Sequence, residues 1–231
     1  MPLEMQAITT AFGLAPAGTD PEAPWTGRVG GCEVTAVHIG MGPPRTRTAV
    51  TALLDGRRAG VGPVDHVMIA GICGGLDPDL EVGSLVNPEV IVDHSSGSAY
   101  RHSPPGDAPV RGKLVTTEEA TLDVALSKRF FAEGFFGVDM ESAAVAEMCE
   151  PRGVPWSVYR CIGDRWFDGL LDERIVANTN ADGSGNAEGI RQLLAADPGV
   201  ADKLRRLAED TTRAARLAAE AAVAGCRALD A

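Results

Sequence analysis

The sequence predicts an α/β fold built on a mainly parallel sheet, and three observations carry that prediction. Apolar runs broken by glycine, "DHVMIAGICGGL" (Asp65–Leu76) and "VPWSVYRCI" (Val154–Ile162), read as strands buried on both faces. Helix-like segments alternate with the strand-like ones along the chain. Four predicted strands close on short glycine- or acid-bearing turns: "IGMG", "GICGG", "VDME" and "CIGD". If these strands are parallel, all four turns lie on one side of the sheet, where open α/β sheets bind ligands.

Taken in order, residues 15–31 are rich in Gly, Pro and Thr and read as a loop. "CEVTAVHIG" (Cys32–Gly40) is a strand candidate closed by glycine. The prolines of "MGPPRTRTA" suit a helix start, with Thr48–Leu54 as the helix body. After the strand at Asp65–Leu76, Gly83–His94 offers one or two short strands, and residues 95–112 form a polar loop. "GKLVTTEEATLDVALSKRFFAEG" reads as a strand and then a helix, and "FFGV" as another strand. Residues 139–149 read as a helix, with Met140, Ala144 and Met148 on one face. "EPRG" ends it before the strand at Val154–Ile162. Asn178–Gly189 is polar and glycine-rich. Gly199–Leu229 reads as one long helix, its stripe drawn from Val200, Leu204, Leu207 and Leu217.

A chain of 231 residues suits one domain, 1–231, with a core that needs no disulfides. The net charge of −11, with no Lys/Arg-rich block, argues against a nucleic-acid partner. Five scattered cysteines without a CxxC pair, and four histidines without HExxH, give no metal site and fit reduced thiols. No signal peptide and no apolar run of transmembrane length is read, so the expected setting is cytoplasmic with no membrane partner.

The candidate chemistry sits at the strand ends. Glu141 has two readings: compensation of a helix dipole, or a carboxylate that accepts hydrogen bonds from sugar hydroxyls. Asp139 reads as a substrate ligand beside Glu141 or equally as a helix N-cap, and Met140 as core filler or a surface for a sugar face. Asp164 closes a buried strand, where desolvation raises a carboxyl pKa and suits it to general-acid work. Gly71, Gly74 and Gly75 serve either tight packing or backbone approach to a ligand. Arg45 and Arg47 read as anion ligands near a helix start or as surface charges.

Together "IGMGPPRTRTA", "AGICGGLDPDLEVGSLV", "VDMESAAVAEMC" and "VPWSVYRCIGD" resemble the purine nucleoside phosphorylase and nucleosidase superfamily, over most of the chain. The likeness is to methylthioadenosine/S-adenosylhomocysteine nucleosidases and to the hopanoid-associated phosphorylase-like group. It implies a three-layer α/β/α fold with a mixed, mainly parallel sheet, with the family's N-terminal strand expected to be truncated here. It implies cleavage of a purine N-glycosidic bond without metal or organic cofactor, with water or inorganic phosphate as co-substrate. Asp164 would protonate the purine, Glu141 would hold the ribose hydroxyls, Met140 would pack on the ribose, and Gly74 and Gly75 would border the nucleophile. On the nucleophile side the candidates are Gly40, Arg45, Arg47, Ile72 (where relatives often carry serine), Gln6 on an ungapped alignment, and Glu4 after a short shift. The expected activity is hydrolysis of a 5′-substituted adenosine, in a homo-oligomer. The rivals are a phosphate-dependent or lipid-nucleoside-cleaving enzyme, and a non-catalytic nucleoside-binding protein. Six aromatics are candidates for the base: Phe130, Phe131, Phe135, Phe136, Trp166 and Phe167.

Overall fold

The computed structural model describes residues 1–20, 23–102, 104–106 and 110–229. Helix α1 (Pro2–Phe12) leads into β1 (Ala15–Pro16), β2 (Trp25–Val29) and β3 (Cys32–Ala36). Then follow α2 (Pro43–Leu54), β4 (Val67–Gly75), β5 (Leu85–Val86), β6 (Val90–Asp93), β7 (Ala99–Arg101) and β8 (Lys113–Thr116). The remainder is α3 (Val124–Ala132), β9 (Phe135–Asp139), α4 (Ser142–Cys149), β10 (Trp156–Arg165), α5 (Glu173–Ala177), α6 (Ala187–Ala196) and α7 (Val200–Ala228).

Seven strands form the central sheet in the order β5-β10-β4-β9-β8-β6-β7, and β1-β2-β3 form a separate antiparallel sheet. The central sheet is mixed. β4 and β10 are parallel, as are β6, β8 and β9, but the two blocks meet antiparallel at β4/β9. The premise of uniform parallel strands therefore fails at that seam. The strand tips still meet, because β4 and β9 overlap only near their C-terminal ends, with Gly74 opposite Val138 and Gly75 opposite Gly137.

Side-chain alternation along β4 and β10 makes the three layers. Ile69, Cys73, Val158 and Ile162 join one apolar cluster with Val50 of α2 and Ala143, Val145 and Ala146 of α4. Their neighbours Met68, Ala70 and Tyr159 pack on the other face with Phe12 of α1 and Ala222 and Val223 of α7. Cys161 and Ile72 meet Ala214 and Ala218 of α7 on that same face. The nearly continuous apolar sequence of these strands follows from burial on both sides.

Several sequence expectations need correction. Residues 15–31 are not a loop but contain β1 and β2, which pair antiparallel with each other, β2 pairing in turn with β3. The strand expected at Cys32–Gly40 stops at Ala36 and belongs to the small sheet, so "IGMG" does not follow a central strand. The loop at 95–112 holds edge strand β7, although Ser103 and residues 107–109 lie outside the described residues. Asp139 ends β9, and helix α4 begins at Ser142, after Glu141. β10 runs through Asp164 to Arg165, α5 forms just before the polar stretch Asn178–Gly189, and α6 begins inside its end at Ala187 and runs on to Ala196.

Candidate active site

The site is built at the β4/β9/β10 tips around one buried guanidinium. Arg160 is 3% exposed, in the middle of β10. A buried charge must be paired, and three carboxylates answer it. Nε and Nη2 reach Asp139 Oδ2 at 2.9 and 2.7 Å, Nη2 reaches Glu141 Oε2 at 2.8 Å, and Nη1 lies 3.7 Å from Glu4 Oε1. Nη1 also donates to the Ile72 carbonyl at 3.2 Å. Burial by itself lowers the pKa of Arg160, but Asp139, Glu141 and Glu4 outweigh it and hold the charge firmly.

Asp139 is the anchor of this network. Thr116 Oγ1 donates to its Oδ1 at 2.7 Å, and the Ser142 amide (3.1 Å) and hydroxyl donate to Oδ2. Its oxygens are thus taken up by the protein, so the residue read as a substrate ligand serves to hold Arg160 and the start of α4. Glu141 sits at the N-cap position of α4 but caps nothing with its side chain. Instead it bridges elements, with Oε1 accepting from Gly42 N at 3.0 Å while Oε2 holds Arg160. Burial raises its pKa, the Arg160 charge opposes that, and the net direction is up.

Glu4 comes in from α1. Its Oε1 accepts from the Ile72 amide at 2.8 Å, and its Oε2 pairs with the Met1 ammonium at 2.6 Å. Gly71 is what lets it in: a Cβ there would overlap Glu4 Oε1 and stand 2.7 Å from Arg160 Nη1. Asp164 is brought to the same cavity by a bulge in β10, where the register against β4 shifts between Ile162 and Asp164. A bulge re-aims the next side chain, and Gly163 provides the room, since a Cβ there would meet Ile72 Cβ at 3.3 Å. Desolvation, with a smaller push from Asp168, raises the Asp164 pKa to about 6.

These groups share one cavity of ≈ 1980 Å³, lined by Glu4, Gly40, Ile72, Gly74, Gly75, Asp139, Met140, Glu141, Arg160 and Asp164 among others. Met140 Cε is 3.9 Å from where a Gly42 side chain would start. Gly74 lies against both β9 and the acid: a Cβ on it would stand 3.0 Å from Val138 Cγ1 and 3.9 Å from Asp164 Oδ2. Other candidates are placed elsewhere. Gln6 is exposed on α1, outside the cavity lining. Arg45 is exposed, and Arg47 is engaged by Glu147 at 2.7 Å and Asp93 at 3.6 Å. Ile72 contributes its backbone, while its side chain packs towards α7. Among the described residues, no cluster of three or more His, Cys, Asp or Glu is arranged to hold a metal.

Sequence reading overlooks Arg160 and Thr116, and it reads Gly71 as a packing or ligand-approach glycine rather than as the opening for Glu4. A signal for Arg160 is present, since an arginine inside "SVYRCI" cannot be buried without partners. Thr116 and Gly71 carry no such signal; one is a polar residue in an apolar strand and the other a glycine among glycines.

The family model described as Phosphorylase superfamily matches residues 1–134, more than half of the chain. The chain belongs to the phosphorylase superfamily. A curated 5′-methylthioadenosine/S-adenosylhomocysteine nucleosidase of Geobacillus thermodenitrificans is 30% identical over 169 residues, covering 60% of this superfamily member and 70% of the relative. In three dimensions it resembles the 5′-methylthioadenosine/S-adenosylhomocysteine nucleosidase of S. pneumoniae, solved with a transition-state inhibitor. The TM-score is 0.70 at 17% identity, over 100% of this chain and 96% of that one. It also resembles a mutant of the Helicobacter pylori enzyme with 5′-methylthioadenosine in the active site. There the TM-score is 0.67 at 18% identity, over 97% and 94% of the two chains. At such identities the structural likeness speaks to the fold.

Proposed function

We propose that this phosphorylase-superfamily member hydrolyses the N-glycosidic bond of a 5′-substituted adenosine and releases adenine. The family and the nucleosidase relatives support the bond and the substrate class. One observation carries the choice of water over phosphate: the site is overcharged with carboxylate. Glu4, Asp139 and Glu141 surround the single Arg160, and no other Lys or Arg is among the described residues that line the cavity. Counting the Met1 ammonium, the cluster remains net negative. A phosphate dianion would meet repulsion there, whereas a water would meet a base.

In this reading Glu4 takes a proton from water, whose oxygen bonds to C1′. The C1′–N9 electron pair leaves with the purine, which takes a proton from Asp164. Glu141 accepts hydrogen bonds from the ribose hydroxyls, strengthened as positive charge grows on the sugar ring, and Met140 covers a ribose face. Arg160 and Asp139 position Glu141 and do not touch the substrate.

The test is a panel of 5′-methylthioadenosine, S-adenosylhomocysteine, adenosine and inosine, with and without inorganic phosphate, scored for free base and sugar product. Adenine and free sugar should appear without phosphate, 5′-substituted adenosines being the better substrates. Ribose-1-phosphate formed only with phosphate would make the chain a phosphorylase. Tight binding with no base release under either condition would make it a binding protein.

A further inference from the structure

We propose that Trp166 is the stacking platform for the purine base and sets the preference of the site for a two-ring base. This deepens the nucleoside reading above and rests on it for the identity of the ligand.

Of the six aromatic candidates, Trp166 alone borders the cavity that contains Asp164. Phe130 and Phe135 are buried in an apolar cluster and do not line the cavity. Phe136 stacks with Arg111, and Phe131 and Phe167 are exposed. Phe12, which also borders the cavity, belongs to the α1/α7 cluster on the far face of the sheet.

The placement of Trp166 follows from strand geometry. Its amide reaches Gly75 O at 3.5 Å, so the β10 ladder continues weakly one residue beyond Arg165. Residues two apart on a strand point to the same side, so this one-residue continuation turns the indole to the side of Asp164, and both side chains line the same cavity. Arg165 points the other way, to Asp168 at 3.0 Å and over Phe167. The indole is held in place: Nε1–H donates to Leu76 O at 3.1 Å, and Phe167 meets it edge-on. Its ring also packs against the Leu76, Val115 and Phe130 cluster. A rigid ring beside a general acid is positioned to stack a purine whose ring nitrogen takes that proton. Because the indole's polar atom is already satisfied, stacking needs no further hydrogen bond from it. The stretch 117–122, which also lines the cavity, contains no aromatic residue.

The chain has three tryptophans, so a Trp25→Phe/Trp156→Phe protein leaves Trp166 as the only indole reporter. Titration with adenine should quench its fluorescence saturably, while ribose should not. Stacking on an aromatic side chain is worth about ten- to a hundredfold in affinity. Trp166→Leu should therefore weaken adenine by that factor, and Trp166→Phe should recover most of it, both followed by calorimetry. Cytosine should bind wild type and Trp166→Leu with more nearly equal affinity than adenine does. Undisturbed fluorescence at saturating adenine, or equal adenine affinity in Trp166→Leu and wild type, would overturn the platform. Adenine binding needs no turnover, so a protein that fails to hydrolyse nucleosides yet shows the quench and the Phe rescue sinks the hydrolase reading and keeps this one. If adenine does not bind the wild type at all, the platform falls too.

Discussion

Asp164 shows at the residue scale how the site is held at the expense of stability. Its pKa rises from 3.8 to about 6, chiefly by desolvation. The folded state therefore keeps a proton that the unfolded chain gives up across that window. Stability falls as pH rises through it, and the full cost is present above pH 6. Asp164→Asn removes the cost. We expect it to add on the order of 2–3 kcal/mol to the unfolding free energy at pH 7.5 and almost nothing below pH 4, read from urea unfolding at both values. Base release should be lost in the same variant. A protein no more stable at pH 7.5, or one that still turns over, would contradict the assignment. Arg160 makes the complementary case: one buried cation is tolerated because Asp139 and Glu141 sit within 2.9 Å of it.

At the element scale, α7 decides how closely the helical layer approaches the sheet. Its 29 residues span about 43 Å. Ala214 and Ala218 meet Cys161 of β10, Ala222 shares a cluster with Tyr159, and Ala215 and Ala219 beside them are buried too. Small residues let the backbone come close, and Gly225 is where the fit is tightest. A Cβ there would overlap the Tyr159 hydroxyl and stand 2.6 Å from its Cζ, with Tyr159 only 1% exposed. Gly225→Ala should gain helix propensity and still lose about 1–3 kcal/mol of stability through overpacking. Thermal unfolding with an adenine-release assay checks this: the melting temperature should drop while turnover at 25 °C stays close to wild type. Helix α4 shows the same limit of local pattern. Its apolar spacing is legible in the sequence, but its start is not. Asp139 and Glu141 look like helix-entry acids whether they cap a helix or face an arginine that lies on another strand, β10.

For the whole molecule, the question is whether the small β1-β2-β3 sheet is a unit of its own. It does not pair with the central sheet. Yet Val29 packs in one cluster with Tyr159 of β10, Phe12 of α1 and Ala222 of α7. We expect 1–231 to unfold as one cooperative domain. Trp25 lies in the small sheet and Trp156 in the central one, so proteins that keep only one of these indoles should report coincident urea transitions. Separated midpoints would divide the chain in two. No helix among the described residues is long and apolar enough to cross a membrane.

By itself the sequence determined the α/β alternation, the two doubly buried strands and the carboxylates at their ends. Those features are local, because an apolar run and a closing acid are read within about ten residues. The tertiary structure alone decided the antiparallel seam at β4/β9, which no local pattern encodes. It also turned Glu4 to the Ile72 amide and left Gln6 exposed. Two residues apart on an α-helix means about 200° of rotation, so one side chain faces the sheet when the other faces water. The alignment of the chain could be shifted by two, but the phase of α1 against Gly71 could not.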